Sequence, residues 1–132
     1  MDSSSIELPG SEVGSIEVAE DCVVLHFFRA NIIKTMTGSV ERTRWWQAGS
    51  LIFEGAHVAG DLPQMPAVCS GGDLVENIYT YRDMLPIPLQ SRGRILCDLG
   101  FEGSDLRFSV QAEAVLLKMV DRPHYIEHIR PI

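Results

Sequence analysis

Cysteine is scarce in this chain, bases are outnumbered, and no apolar run is long. The three cysteines, Cys22, Cys69 and Cys97, are scattered and odd in number, whereas a small secreted domain held by disulfides carries more of them in an even count. Each sits among apolar or strand-like neighbours and reads as a small core residue, so the compartment expected is reducing and cytoplasmic. The apolar runs are only a few residues long, such as Ala114-Val115-Leu116-Leu117, against the about 20 residues a membrane-spanning helix needs. Residues 1–10 hold two acids, no base and no apolar stretch, and no signal peptide is expected there. Bases number 11 against 18 acids, for a net charge of −7. Nucleic acid and anionic membrane surfaces both recruit Lys and Arg, so neither is expected as a partner. Asp2, Glu7, Glu12, Glu17, Glu20 and Asp21 all precede the first base, Arg29. Such a stretch keeps a protein soluble; the sharper reading is that it faces a basic partner.

Hydrophobic residues make up 45% of the 132 positions, which suits one domain with a real core and excludes a disordered linker. Periodicity of two dominates. Cys22, Val24, His26 and Phe28 alternate with Val23, Leu25 and Phe27, both sets largely apolar, as in a strand buried on two sides or in a small barrel. Further strands are expected over residues 40–47, 50–53, 74–81 and 94–101. Breaks are expected at Thr37-Gly38-Ser39 and Ala48-Gly49, and Ser70-Gly71-Gly72-Asp73 reads as a tight turn. Residues 55–72 form the longest irregular segment. Pro86-Ile87-Pro88 denies two ladder donors and belongs at an edge or crossing. Glu102-Gly103-Ser104-Asp105 reads as a hairpin turn, with Leu106, Phe108 and Val110 returning on one face. Residues 112–119 suit either a helix or a continued strand. The spacing of strands and turns predicts an all-β domain, an antiparallel β-sandwich or small β-barrel with short or no helices. The organisation expected is a flexible acidic arm over 1–14, a single β domain over 15–122 and a tail over 123–132.

Three stretches carry a resemblance: Leu8-Pro9-Gly10-Ser11-Glu12-Val13-Gly14-Ser15-Ile16-Glu17, then Trp46 followed by Leu51-Ile52-Phe53-Glu54-Gly55-Ala56, then Leu85-Pro86-Ile87-Pro88. Their order resembles a family of small all-β bacterial proteins with no assigned function. The resemblance implies an all-β fold and no activity, so no functional residue is carried over from it.

Chemistry-bearing patterns are few. His124-Tyr125-Ile126-Glu127-His128 matches the H-x-x-E-H pattern of one zinc peptidase class. That chemistry needs a helix and a third ligand downstream, whereas Pro123 and Pro131 bracket a segment barely two turns long. It reads as a surface tail, and no metal or cofactor is expected. His26 lies in the most apolar strand and reads as a core or half-buried histidine. His57 opens the irregular segment, where loop residues often carry function. A relay of His57 and Asp61 with Cys69 or a serine has no support in the spacing. Asp98, Glu102 and Asp105 read as solvated turn carboxylates. Gly71-Gly72 lacks the Lys and helix of a phosphate loop.

Trp45-Trp46 stands out. Adjacent strand residues point to opposite faces, so one ring is expected in the core and the other outside. The outer one, with Arg42, Arg44 and Tyr79 or Tyr81 nearby, would form a partner-binding anchor, because Trp, Tyr and Arg dominate interface energy. The function expected is a binding or interaction domain, with enzymatic activity uncertain and a homodimer as its assembly. Its candidate binding residues are Arg44, Trp45, Trp46, His57, Tyr79 and Tyr81. The alternatives are a barrel holding a small apolar ligand in its lumen, and an acidic inhibitor or immunity-type protein.

Overall fold

The computed structural model describes residues 2–36, 38 and 40–130. Among these there is no helix. The strands are β1 (Ser3–Ala19), β2 (Cys22–Thr35), β3 (Arg42–Glu54), β4 (His57–Val58), β5 (Ala67–Glu76), β6 (Tyr79–Arg82), β7 (Met84–Ile87), β8 (Gln90–Phe101) and β9 (Phe108–Ile129). They form one antiparallel sheet in the order β6-β5-β8-β9-β3-β2-β1-β7, and a further pairing of β5 with β1 closes it into a ring. The all-β class is as expected.

Closure rests on few contacts. β1 and β5 share only Glu12↔Val68 and Val13↔Ala67; the Val68 carbonyl accepts from the Glu102 amide of the β8–β9 turn at 2.9 Å. The inward-facing residues fill the ring: Val23, Leu25 and Phe27 of β2, Leu51 and Phe53 of β3, Ile95, Cys97 and Leu99 of β8, and Phe108 and Val110 of β9 are buried. On β9 the inward parity changes where Ala114 and Val115 are buried in succession, beside a register shift between Arg92 and Ile95 on β8.

The four longest strands are interrupted at a common level. Register runs straight across them through Glu7↔Asn31, Asn31↔Trp46 and Trp46↔His124. Beside that line lie shifts between Glu7 and Glu12, between Phe27 and Ala30, and between Trp46 and Ala48. A bulge bends its strand and increases the local twist. This belt therefore divides the sheet into a closed body below and an extension above, built from the outer ends of β1, β2, β3 and β9 with β7 at its edge. In the belt Gly10 takes φ +87°, and Ser11 is wholly buried. The Ser11 hydroxyl donates to the Glu7 carbonyl at 2.7 Å and accepts from the Asn31 amide at 3.0 Å. It thus satisfies two backbone groups that the bulge leaves out of the ladder.

Several expectations are corrected. The segment 1–14, expected as an arm, contributes most of β1, with Ile6 and Leu8 wholly buried. The acids at Glu7 and Glu12 alternate with apolar residues, and pairing to β2 hides the second set. The tail over 123–132 continues β9 to Ile129, and residues 112–119 are strand throughout. Ala48-Gly49 does not break β3, because Gly49 lies under Met119, whose sulfur would stand 3.0 Å from an added Cβ. Gly71 and Gly72 lie inside β5: a Cβ on Gly72 would stand 2.2 Å from the Asp98 carbonyl oxygen. Their glycine signal reports close strand crossing instead of a turn. The turn falls later, at Asn77 with φ +55°, and splits the expected strand 74–81 into β5 and β6. The irregular segment shrinks to residues 59–66 between β4 and β5. The β8–β9 hairpin forms, but Leu106 precedes β9 and is exposed. Of the expected break at 37–39, Thr37 and Ser39 lie outside the described residues, as does Pro131.

Replacing Ser11 by alanine strands a buried amide and a buried carbonyl. We expect Ser11→Ala to lower unfolding stability by about 1–3 kcal/mol, read from urea denaturation. A loss comparable to a neutral surface substitution would show that water replaces the hydroxyl.

Candidate functional site

A groove of about 500 Å³ lies on the outer wall where β5, β8, β9 and β4 run side by side. Alternation builds it. Leu74, Cys97 and Val110 point into the core, so their neighbours Asp73 and Val75 on β5, Leu96 and Asp98 on β8, and Ser109 and Gln111 on β9 face outward and line it. His57 and Val58 of β4 form the remaining rim, held by pairing to Gln111 and Val110 and by the Ala59 amide donating to the Ser109 carbonyl at 2.9 Å. Its size matches the range of small-molecule sites, roughly 300–1,000 Å³.

Two carboxylates stand opposite each other in this wall, since Asp73 and Asp98 are register partners. Like charges directly across a sheet are unfavourable, and the two are treated differently. The Asp98 carboxylate accepts from Arg107 Nε at 2.6 Å and from the Ser109 hydroxyl at 2.5 Å. Burial pushes its carboxyl up, but the Ser109 and Arg107 hydrogen bonds and the guanidinium charge outweigh it and hold Asp98 below the usual carboxylate range. Gly100 makes room for this clamp: an added Cβ would stand 2.6 Å from Arg107 Nη1. The Asp73 side chain, by contrast, which has Arg82 of β6 as its other register partner, makes no hydrogen bond or ion pair among the described residues. Beneath the wall, burial raises the Cys97 and Cys69 thiols, which leaves them protonated core residues and not nucleophiles.

Of the residues singled out from sequence, His57 lies in this groove. Arg44, Trp45 and Trp46 come together elsewhere, in the extension, and are engaged within the chain. Trp46 stacks on His124 at 4.2 Å with Arg29 over its ring at 4.7 Å. Trp45 donates to Thr43 Oγ1 at 2.8 Å, meets Tyr125 edge-on at 5.3 Å and carries Lys34 at 4.4 Å. Arg44 bridges Glu7 at 3.3 Å and Glu127 at 3.2 Å. Tyr79 and Tyr81 form their own pair at 4.7 Å on β6, separated from β3 in the pairing order by β5, β8 and β9. Burial, then the nearby Glu76 charge, raises the Tyr81 hydroxyl.

The H-x-x-E-H segment is strand. Its parts are drawn apart, His124 to Trp46, Glu127 to Arg44 and His128 to Glu41, and among the described residues no three His, Cys, Asp or Glu could hold a metal ion. His26 sits half-buried on the outer face, its Nδ1 at 2.8 Å from the Ser50 hydroxyl and Nε2 at 3.1 Å from Glu17. Sequence reasoning missed Asp73, Val75, Leu96, Ser109 and Gln111, and grouped Asp98 with Glu102 and Asp105 instead of Arg107. The missing signal was strand order, which alone brings β5, β8 and β9 together. Against known proteins, the chain matches no family model, no curated protein and no solved structure at a significant level.

The Asp98 clamp predicts a pH signature. Because the folded carboxyl lies below the ordinary value near pH 3.9, its stabilisation is present above about pH 4 and is lost as pH falls through the folded value. Arg107→Ala should therefore lower the thermal midpoint at neutral pH, with the gap to the parent narrowing in acid. A gap independent of pH would assign Arg107 a packing role alone.

Proposed function

We propose that this protein is a binding domain whose site is the outer-wall groove, and that its ligand is a small, largely apolar molecule. The observation that supports this is a concavity of about 500 Å³ in which Val58, Val75 and Leu96 offer apolar surface beside a few placed polar groups, Asp73, Ser109, Gln111 and His57. That composition is the one expected of a ligand site. The placement differs from a lumen site: large buried side chains such as Phe27, Phe53 and Phe108 fill the ring, as they do in closed sheets of few strands. A thermal-shift screen with small apolar compounds tests the reading. A ligand present at a hundred times its Kd adds about 2.7 kcal/mol, and Leu96→Arg, which places a charged chain across the groove, should abolish the gain while leaving the unliganded midpoint near the parent's. No stabilisation by any compound, or stabilisation that survives Leu96→Arg, would overturn it.

A second reading, self-association as a homodimer, has its own support. Beyond Leu117, whose amide donates to the Leu89 carbonyl at 2.9 Å, β9 is paired among the described residues on one side only, by β3. Val120, Tyr125 and Ile126 are exposed along this stretch. An open strand edge is a template for pairing with another chain, and a second copy would add its own β9 antiparallel to the first. Pro123 withholds one amide from that edge, which places the pairing at residues 124–129. Sedimentation velocity should give a dimer that Ile126→Lys converts to monomer; a monomeric parent at high micromolar concentration would refute it.

A further inference from the structure

We infer that the groove recognises a cationic group, an alkyl ammonium held by the Asp73 carboxylate with its apolar body against Val75 and Leu96. The inference rests on the reading of the groove as a ligand site and names the chemistry of what enters it.

The argument begins with the two facing carboxylates. Asp98 and Asp73 are register partners, and opposed like charges weaken a sheet. Arg107 and Ser109 compensate one of them. The same guanidinium bonds Asp98 and not Asp73, so among the described residues the Asp73 carboxylate is the one of the two without a direct ion pair. That charge sits in a partly buried position next to apolar side chains, where a carboxylate is less well hydrated than on an open surface and gains more from a cationic partner. Ser109 is engaged with Asp98, and Gln111 is neutral. His57 on the rim and Arg82, the register partner of Asp73 on β6, are the nearby basic side chains, and among the described residues neither forms an ion pair with Asp73. No three groups suited to a metal ion converge among the described residues. The complementary ligand is therefore one whose single positive charge a lone carboxylate can hold, with an apolar remainder that fills the rest of about 500 Å³. An anionic ligand of the same shape meets repulsion at Asp73.

The test compares three probes of one shape, hexylamine, 1-hexanol and hexanoate, by amide shift perturbation in ¹H–¹⁵N spectra. Hexylamine is expected to perturb Val75, Leu96 and Ser109 and to bind about tenfold more tightly than 1-hexanol, with hexanoate weakest. In Asp73→Asn, which keeps the side chain's shape, hexylamine should fall to the affinity of 1-hexanol while 1-hexanol is unchanged, which also reports an intact groove. Equal binding of hexylamine and 1-hexanol in the groove of the parent would overturn the charge inference and leave the groove reading standing. Perturbation of groove residues by none of the probes would overturn both. Retained amine preference in Asp73→Asn would overturn the role of Asp73.

Discussion

The bend at the belt of bulges is the constraint on which the molecule depends. A strand as long as β9, 22 residues, is too long for the wall of a small closed sheet. It serves both the closed body and the extension only because its neighbours break register beside it. A bulge, however, leaves backbone groups unpaired, and a buried unpaired amide costs more than most hydrogen bonds contribute. The chain meets this with side chains. Ser11 satisfies Asn31 and Glu7 in the buried part of the belt, and Gln47 donates to the Asp121 and Val120 carbonyls at 2.9 and 3.4 Å in its exposed part. Without those substitutes the strands would have to run straight, and β5 could not meet β1 through the two pairs that close the ring.

Much of the fold was legible because alternation is a local signal. Val23, Leu25 and Phe27 announce a strand from their own spacing, and the β8–β9 hairpin follows from a polar Gly turn between two apolar alternations. The failures share one cause. Glycine at Gly49, Gly71 and Gly72 serves close approach of another strand, and a local reading cannot distinguish that use from a turn. Segment 1–14 looked polar because half of its residues face outward; what buries Ile6 and Leu8 is a partner strand absent from any window around them. The candidate site was less legible still. Asp73, Leu96 and Ser109 belong to three strands of different sequence position, and only the order β5-β8-β9 makes them neighbours.

The same order explains why the tryptophans carry less of the functional argument than their rarity suggests. An interface anchor has to bring unsatisfied surface to its partner. Trp46 is already stacked between Arg29 and His124, and Trp45 has spent its indole donor on Thr43. Arg44 holds a carboxylate on either side. These contacts tie β1, β2, β3 and β9 together across the extension. Their role follows from position: aromatic and cationic side chains lie across strand boundaries where the ladder is interrupted.

The groove stands in the opposite condition. Closure of the ring fills the interior with phenylalanine and leucine, so the space left for a ligand is on the wall's outer surface, where side chains of β5, β8 and β9 alternate away from the core. An outer wall in water is ordinarily polar, yet here Val75 and Leu96 are half-buried beside a carboxylate that forms no direct ion pair among the described residues. The clamp on Asp98 makes this asymmetry definite, since Arg107 and Ser109 give their donors to that carboxylate, and Gly100 keeps the space in which the guanidinium lies. A wall that needed only solubility would gain by an asparagine or lysine at position 73. An aspartate opposite another aspartate is an unfavourable cross-strand pair, and the cationic ligand proposed for the groove would offset it by binding the folded state.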